Sequence, residues 1–272
     1  MSCSATTGYV ISYNSPTAAS ALASLLSQTR VLDGIFLIDD GSHPAIQCDD
    51  WMQGRVKQLR SENNRGRGAS RAQAMRESNG EFVVCCDATA KLDVDFVENA
   101  IKHFDDPKVA AVYGRFAQAP PKDAVQRWRG IHLFKERAQP NHPVDTNSFS
   151  THGALVRRSA VMAVGNFDET LRHSEDADLG ERLRVAGFRI IYDPTLKVTS
   201  LLVNNMSEVL ERYWRWYAGA DEQITWNGYL RNVVYAMKGM VKDDLRDGDP
   251  ARAFISFVCP HYQFWRSWWR KR

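Results

Sequence analysis

The sequence predicts an α/β fold: a Rossmann-like, mostly parallel central sheet flanked by helices, with a helical extension at the C-terminus. Two observations carry this expectation. Short apolar runs alternate with helical patterns through the first half, the rhythm of a doubly wound sheet. After Ser207 that rhythm gives way to helical patterning alone. At 272 residues, 44% hydrophobic and 25% charged, the chain can bury a substantial core, so one compact domain plus an appendage is expected rather than a disordered or fibrous protein.

Taken in order, GYVISY (8–13) reads as a strand, 17–28 as a helix, and GIFLIDD (34–40) and RVKQLRS (55–61) as strands. A helix over 68–77 and the strand EFVVCCD (81–87) follow. The apolar spacing over 94–104 suits an amphipathic helix, and KVAAVYG (108–114) is another strand, completing a nucleotide-binding half over residues 1–115. Pro120 and Pro121 break regular structure before a helical run over 124–137 and the polar loop QPNHPVDTNSF, a segment able to move over a site. GALVRRSAVMAVG then gives strand, turn and short helix, and EDADLGERLRVAG a helix closed by Gly187. FRIIYDP is a strand stopped by Pro194. The domain break falls near residue 205, separating a second half (116–204) from the extension (205–272).

A net charge of +3 is too small to argue for nucleic acid. The five cysteines, Cys3, Cys48, Cys85, Cys86 and Cys259, lack metal-ligand spacing and read as reduced structural thiols, with Cys85 and Cys86 on opposite faces of their strand. MSCSATT runs straight into a strand without the features of a signal peptide, and no stretch approaches the ~20 apolar residues of a membrane span. The expected compartment is cytoplasmic, with attachment to a membrane surface left open.

In an open parallel sheet, ligands bind beyond the carboxyl ends of the strands. Four such ends are polar here: Ser12-Tyr13-Asn14, Asp39-Asp40-Gly41-Ser42, Glu62-Asn63-Asn64 and Asp87-Ala88-Thr89. A carboxylate there can accept from a base N–H or a ribose hydroxyl, although any one of these ends can equally be a turn or cap. In Asn64-Arg65-Gly66-Arg67-Gly68-Ala69-Ser70-Arg71, two glycines let backbone approach a ligand. Three arginines surround the same helix start, which makes an anion site or, alternatively, a solvated basic turn. No P-loop pattern is present, and no strand leads into G-x-G-x-x-G, which argues against a dehydrogenase. Glu175 and Asp176 sit at a predicted helix start, where acids either cap the helix or, if Asp176 faces the cleft, take a proton from an attacking hydroxyl.

Together these segments resemble glycosyltransferase family two, whose members have the GT-A fold, over about residues 8–200 and in the family's order. The resemblance implies that Tyr13, beside Ser12, stacks on the donor's base, that Asp39 or Asp40 binds that base, and that Arg71 contacts the donor. CCDATAKLD falls where the family carries D-x-D, so Asp87, with Ala88 and Thr89, is expected at the ribose or a metal-linked phosphate. Asp176, next to Glu175, matches the base. The implied reaction is inverting transfer of a sugar from a nucleoside diphosphate sugar to a hydroxyl on a glycan, glycolipid or other acceptor, in residues 1–115 (donor half) and 116–204 (acceptor half). Two expected ligands for Mn²⁺ or Mg²⁺ are replaced, one by Thr89 and one by Ser200 in Lys197-Val198-Thr199-Ser200. Metal dependence is therefore expected to be weakened, with Arg65, Arg67 or Arg71 offsetting pyrophosphate charge and His152 or His173 as unassigned ligands. The same loss motivates a rival, a nucleotide-sugar-binding scaffold without turnover. A sugar nucleotidyltransferase is a third reading, but it lacks its Gly-rich loop after the first strand.

Tyr213-Trp214-Arg215-Trp216-Tyr217 and Phe264-Trp265-Arg266-Ser267-Trp268-Trp269-Arg270-Lys271-Arg272 interleave aromatics with cations. Packing on the core is the expectation for 213–217, and contact with a membrane surface for 264–272.

Overall fold

A computed structural model describes residues 4–47, 52–217 and 223–269. Cys3, Cys48 and the terminal Arg270, Lys271 and Arg272 lie outside the described residues. The chain divides into two compact units, one of Met1–Ala117 with Gln139–Leu202 and one of Gln118–Ala138 with Val203–Arg272.

The first unit is built on β1 (Thr6–Ser12), β2 (Gly34–Asp39), β3 (Val56–Arg60) and β4 (Phe82–Asp87), which lie side by side as parallel neighbours in the order β3-β2-β1-β4. Helices α1 (Ala18–Leu26) and α2 (Arg67–Glu77) make the connections. β1, β2 and β4 are almost wholly buried and mainly apolar, with Thr6, Thr7 and Ser12 of β1 among the buried polar residues, as befits strands covered on both faces. Cys85 and Cys86 do face opposite ways: Cys85 packs with Tyr9, Met75 and Val83, and Cys86 with Val10, Leu22 and Val84. Both thiols are free and buried.

The sheet turns antiparallel beyond β4. β6 (Val109–Gln118) does not extend the parallel half. β8 (Gly153–Arg157) inserts between β4 and β6 and runs antiparallel to both, and β9 (Arg189–Ser200) and β5 (Ala90–Leu92) complete the order. β5 and the short β7 (Val144–Asp145), which pairs with β9, were invisible to hydrophobic periodicity because two or three residues carry no period. The strand expected to stop at Pro194 continues to Ser200. Its pairing with β7 ends at Tyr192 and its pairing with β5 starts at Val198, so Pro194 falls in the gap between these two ladders. Asp193 meanwhile holds the chain by accepting from the Thr195 N–H at 2.8 Å. Helices α3 (Phe96–Ala100), α5 (Arg158–Ala163) and α6 (Glu175–Val185) complete this unit.

The second unit is helical: α4 (Ala124–Trp128) with irregular turns to Ala138, then α7 (Met206–Tyr217), α8 (Trp226–Tyr235), α9 (Lys242–Arg246) and α10 (Pro250–Trp269). The segment Gln118–Ala138, expected in the acceptor half, groups with these C-terminal helices. Buried Trp128 donates from Nε1 to Ser256 Oγ at 2.8 Å, Ser256 donates to Asp244 at 2.6 Å, and His132 and Arg252 also bond Asp244. Arg127 pairs with Asp249 at 2.6 Å. Tyr213 and Trp214 are buried within this unit, whereas Arg215 and Trp216 are exposed. Among the described residues no helix is long and apolar enough to cross a membrane.

Candidate active site

Parallel pairing sets Ser12 opposite Asp39 and Ile11 opposite Asp87, so the polar ends of β1, β2 and β4 line one edge of the sheet. Asn14, at φ 51°, turns the chain there; its N–H donates to Ser42 Oγ at 2.9 Å and its side chain accepts from the His43 N–H at 2.8 Å. This zips the loop after β1 to the loop after β2. Tyr13 is left half-exposed on the rim, free to stack, and the Ser12 hydroxyl is buried without a hydrogen-bond partner.

Asp39 and Asp40 hold this rim together. Asp39 is fully buried and accepts from the Ser42 N–H at 2.9 Å, the Ile46 N–H at 3.3 Å and Arg60 at 2.6 Å. Burial pushes its carboxyl up, but these hydrogen bonds and the Arg60 charge prevail and lower it. Asp40 accepts from the N–H groups of Arg65 and Gly66, both at 2.9 Å. It thereby fixes the entry to α2.

The two glycines of the basic segment serve packing rather than the approach of a ligand. A Cβ on Gly68 would stand 2.0 Å from the Asp168 carbonyl oxygen and 2.6 Å from that of Leu171, and the Gly68 N–H already donates to Leu171 at 3.0 Å. With Gly66 bonded to Asp40, two N–H groups at the start of α2 are spent on the protein itself, and the expected anion cradle is reduced accordingly. The close approach of α2 to the 168–171 loop brings the start of α6 beside the sheet edge.

The three arginines separate in role. Arg65 is exposed and pairs with Glu169 at 2.9 Å. Arg71, expected to contact the donor, is fully buried: Nε donates to Glu175 at 2.9 Å, NH2 to Asp87 at 2.5 Å, and NH1 to the Tyr9 hydroxyl at 3.3 Å. It is a hub joining two carboxylates rather than a surface donor. Arg67 is exposed, makes no hydrogen bond or ion pair among the described residues, and lies close enough to Asp87 and His152 to bias the ionisation of both. Of the three, it is the cation available to an anionic ligand.

The carboxylates divide likewise. Glu175, paired with Asp176 as catalytic in expectation, is buried against Arg71 with its other oxygen lacking a partner, so it positions the arginine. Asp176 is half-buried at the first turn of α6 and accepts from the Ala177 N–H at 2.9 Å. Asp87 is driven up by burial, but Arg71, His152 and Arg67 outweigh this and hold it at about 2. Tyr9 had no signal in the sequence beyond a strand position. His152, which enters β8 next to Gly153, places Nε2 3.7 Å from Asp87, and its Nδ1 bonds Ser150 Oγ at 2.7 Å. Burial holds the imidazole below its ordinary value, against the opposing pull of Asp87 and Asp176. His152 thus stands within the fields of both acids. His173 lies exposed in the loop before α6.

Thr89 and Ser200, the positions where metal ligands were expected to be replaced, lie side by side. Ser200 pairs with Ala90 in the β5–β9 ladder, and the Leu201 N–H donates to the Thr89 carbonyl at 2.8 Å. One Asp87 oxygen is taken by Arg71, Thr89 and Ser200 carry no charge, and among the described residues no three His, Cys, Asp or Glu side chains gather to hold an ion. These residues do not fit a hard divalent cation, which prefers several charged oxygens.

The architecture is shared with solved glycosyltransferases. The fold is similar to that of GalNAc-T7 crystallised with UDP, GalNAc and Mn²⁺ (TM-score 0.61, 16% identity, 87% of this chain and 51% of that one). It is similar too to the mannosyltransferase PcManGT of Pyrobaculum calidifontis in complex with GDP-Man and Mn²⁺ (TM-score 0.54, 17% identity, 97% and 73%). By sequence, a pre-mycofactocin glycosyltransferase of Mycobacterium tuberculosis is 32% identical over 183 residues, and a poly-beta-1,6-N-acetyl-D-glucosamine synthase of Staphylococcus aureus 26% identical over 183. Each alignment covers 65% of this chain but only 39% and 43% of those relatives, so the chain spans well under half of their length. The model of glycosyl transferase family 2 matches residues 9–165, which run from β1 through α5 and include Asp39, Arg71, Asp87 and His152. With more than half of its length matched in this way, the chain belongs to glycosyl transferase family 2.

Proposed function

We infer that the protein is an inverting glycosyltransferase that moves a sugar from a nucleoside diphosphate sugar to an acceptor hydroxyl, with Asp176 as the base. The observation that carries this reading is the Asp87 carboxylate on the sheet edge, paired with Arg71 at 2.5 Å and 3.7 Å from His152, with the exposed Arg67 close enough to bias both Asp87 and His152 and with Asp176 acting on the same imidazole. Tyr13 and the orphaned Ser12 hydroxyl offer a ring face and a hydrogen bond to a nucleoside on the same edge.

In this reaction the acceptor oxygen attacks the anomeric carbon and its proton passes to Asp176. The bond from that carbon to the diphosphate oxygen breaks on the opposite face, and the nucleoside diphosphate leaves with the bonding electrons. Arg67 offsets the charge that develops on the leaving group, while Arg71, buried, holds Asp87 and Glu175 in place. No step is assigned to a divalent metal, because Thr89 and Ser200 stand where its ligands would. The acceptor class that agrees with the aromatic-basic C-terminal unit is a glycan or glycolipid at the cytoplasmic face of a membrane.

The reading is tested by calorimetric titration with UDP, GDP, dTDP and CDP, each with and without Mn²⁺, beside an Asp87→Ala control. Selective binding of one diphosphate, weakened by the substitution and changed less than threefold by Mn²⁺ or EDTA, is expected. Absence of binding to all four would favour a scaffold, and strict dependence on Mn²⁺ would overturn the metal-independent reading.

A further inference from the structure

The helical unit carries an aromatic face that its own packing leaves uncovered. On α10, Phe254, Phe257, Trp265 and Trp268 are exposed, at spacings that keep them on one side, while Ile255, Ser256, Cys259, Gln263 and Ser267 are buried on the other. On α8, Trp226, Leu230 and Val234 follow one another at four-residue intervals and are exposed as well, Trp226 to 65%. The two helices form one surface. The Trp226 and Tyr229 rings lie 4.8 and 4.6 Å from that of Phe264, and Trp268 donates from Nε1 to the Ile224 carbonyl at 3.2 Å. An apolar surface of this extent is unusual on a water-facing protein and marks a docking site.

Charge identifies what docks there. The helical unit contains 16 Lys and Arg against 10 Asp and Glu, a net +6, whereas the sheet unit has 19 against 22, a net −3. Arg231, Lys238 and Lys242, on or next to α8 and α9, are exposed and form no ion pair among the described residues. Protein–protein interface cores favour aromatics but deplete lysine. Indoles interleaved with lysine and arginine match instead the headgroup layer of a bilayer, where the ring lies at the acyl boundary and the cation meets a phosphate. With no spanning helix among the described residues, the fit is to lying on the membrane rather than crossing it.

We propose that the face formed by α8 and α10 docks the protein onto an anionic phospholipid bilayer, with α10 in the interfacial plane, Trp226, Phe254, Trp265 and Trp268 seated at the headgroup–acyl boundary, and Arg231, Lys238 and Lys242 supplying the charge that favours anionic lipid. This deepens the membrane-side part of the functional reading and is independent of the donor site.

The full chain is sedimented with vesicles of phosphatidylcholine alone and of equimolar phosphatidylcholine and phosphatidylglycerol. Binding at least tenfold tighter to the anionic vesicles is expected. Trp226→Ser, Phe254→Ser and Trp265→Ser combined should weaken binding to the anionic vesicles at least tenfold, and Lys238→Glu with Lys242→Glu should abolish the preference for phosphatidylglycerol. Trp226 also stacks on Phe264, so Phe254→Ser with Trp265→Ser serves as the control pair: it should keep the wild-type melting curve and still weaken binding to the anionic vesicles. The proposal is overturned if the wild type binds neither vesicle, if the triple variant binds as the wild type does, or if the wild type is a dimer that the triple variant converts to monomer. UDP titration of the same samples reports the donor site separately, so loss of one activity is distinguishable from loss of the other.

Discussion

Replacing Arg71 by Met keeps the side chain's apolar stem and removes a charge that two buried carboxylates share. In the native protein, Asp87 is held at about 2 against an ordinary 3.8, a difference worth about 2 kcal/mol at neutral pH. Because the native carboxyl is depressed, that contribution is present above about pH 3.8 and is lost as pH falls towards 2. Without Arg71 the sign reverses. Burial then pushes Asp87 above its unfolded value, Glu175 is left buried without its cationic partner, and keeping two such charges in place costs stability. Removing one partner of a buried pair typically costs about 3–5 kcal/mol, a large share of the ~5–15 kcal/mol that holds a domain together. Arg71→Met should therefore lose about 3–5 kcal/mol at pH 7 and less at pH 5, where the folded variant takes up protons that the unfolded chain does not bind. Adding Glu175→Gln should restore part of the loss, because one of the stranded charges is gone. Urea unfolding of the wild type and both variants at pH 7 and pH 5 measures this. A loss under about 1 kcal/mol, or an equal loss at both pH values, would refute the hub assigned to Arg71.

Three further outcomes follow from the site. Asp176→Asn should lower kcat by about 10²–10⁴-fold while leaving nucleoside diphosphate affinity within threefold, as steady-state kinetics and calorimetry would read. Arg67→Ala should weaken diphosphate binding much more than nucleoside binding and leave the melting temperature unchanged, because its side chain has no ion pair to lose among the described residues. Gly68→Ala should cost at least about 2 kcal/mol and lower Tm by roughly 4–8 °C, since its Cβ would meet the Asp168 carbonyl oxygen, part of the backbone, at 2.0 Å. The displaced α2 should also loosen the start of α6 and reduce turnover.

Local chemistry alone determined the longer strands and helices of residues 1–115, the polar strand ends and the opposed faces of Cys85 and Cys86, because period, turn residues and strand alternation are properties of neighbours in the chain. Local chemistry also marked Asp87 as a polar strand end and Asp176 as a helix start, whereas Thr89 and Ser200 stood out only through the family resemblance; the β5–β9 ladder sets these last two positions side by side. Other features were decided only in three dimensions. β8 enters between β4 and β6 because sheet order is set by pairing between distant strands, which no local period encodes. Gly68 reads as a site for a ligand until the 168–171 loop is found filling that space. Arg71 reads as a donor contact until Glu175, 104 residues away, is found against it. An arginine beside glycines looks the same in sequence whether its guanidinium meets solvent, a phosphate or a buried acid. Desolvation and the partner that offsets it exist only once the chain has folded.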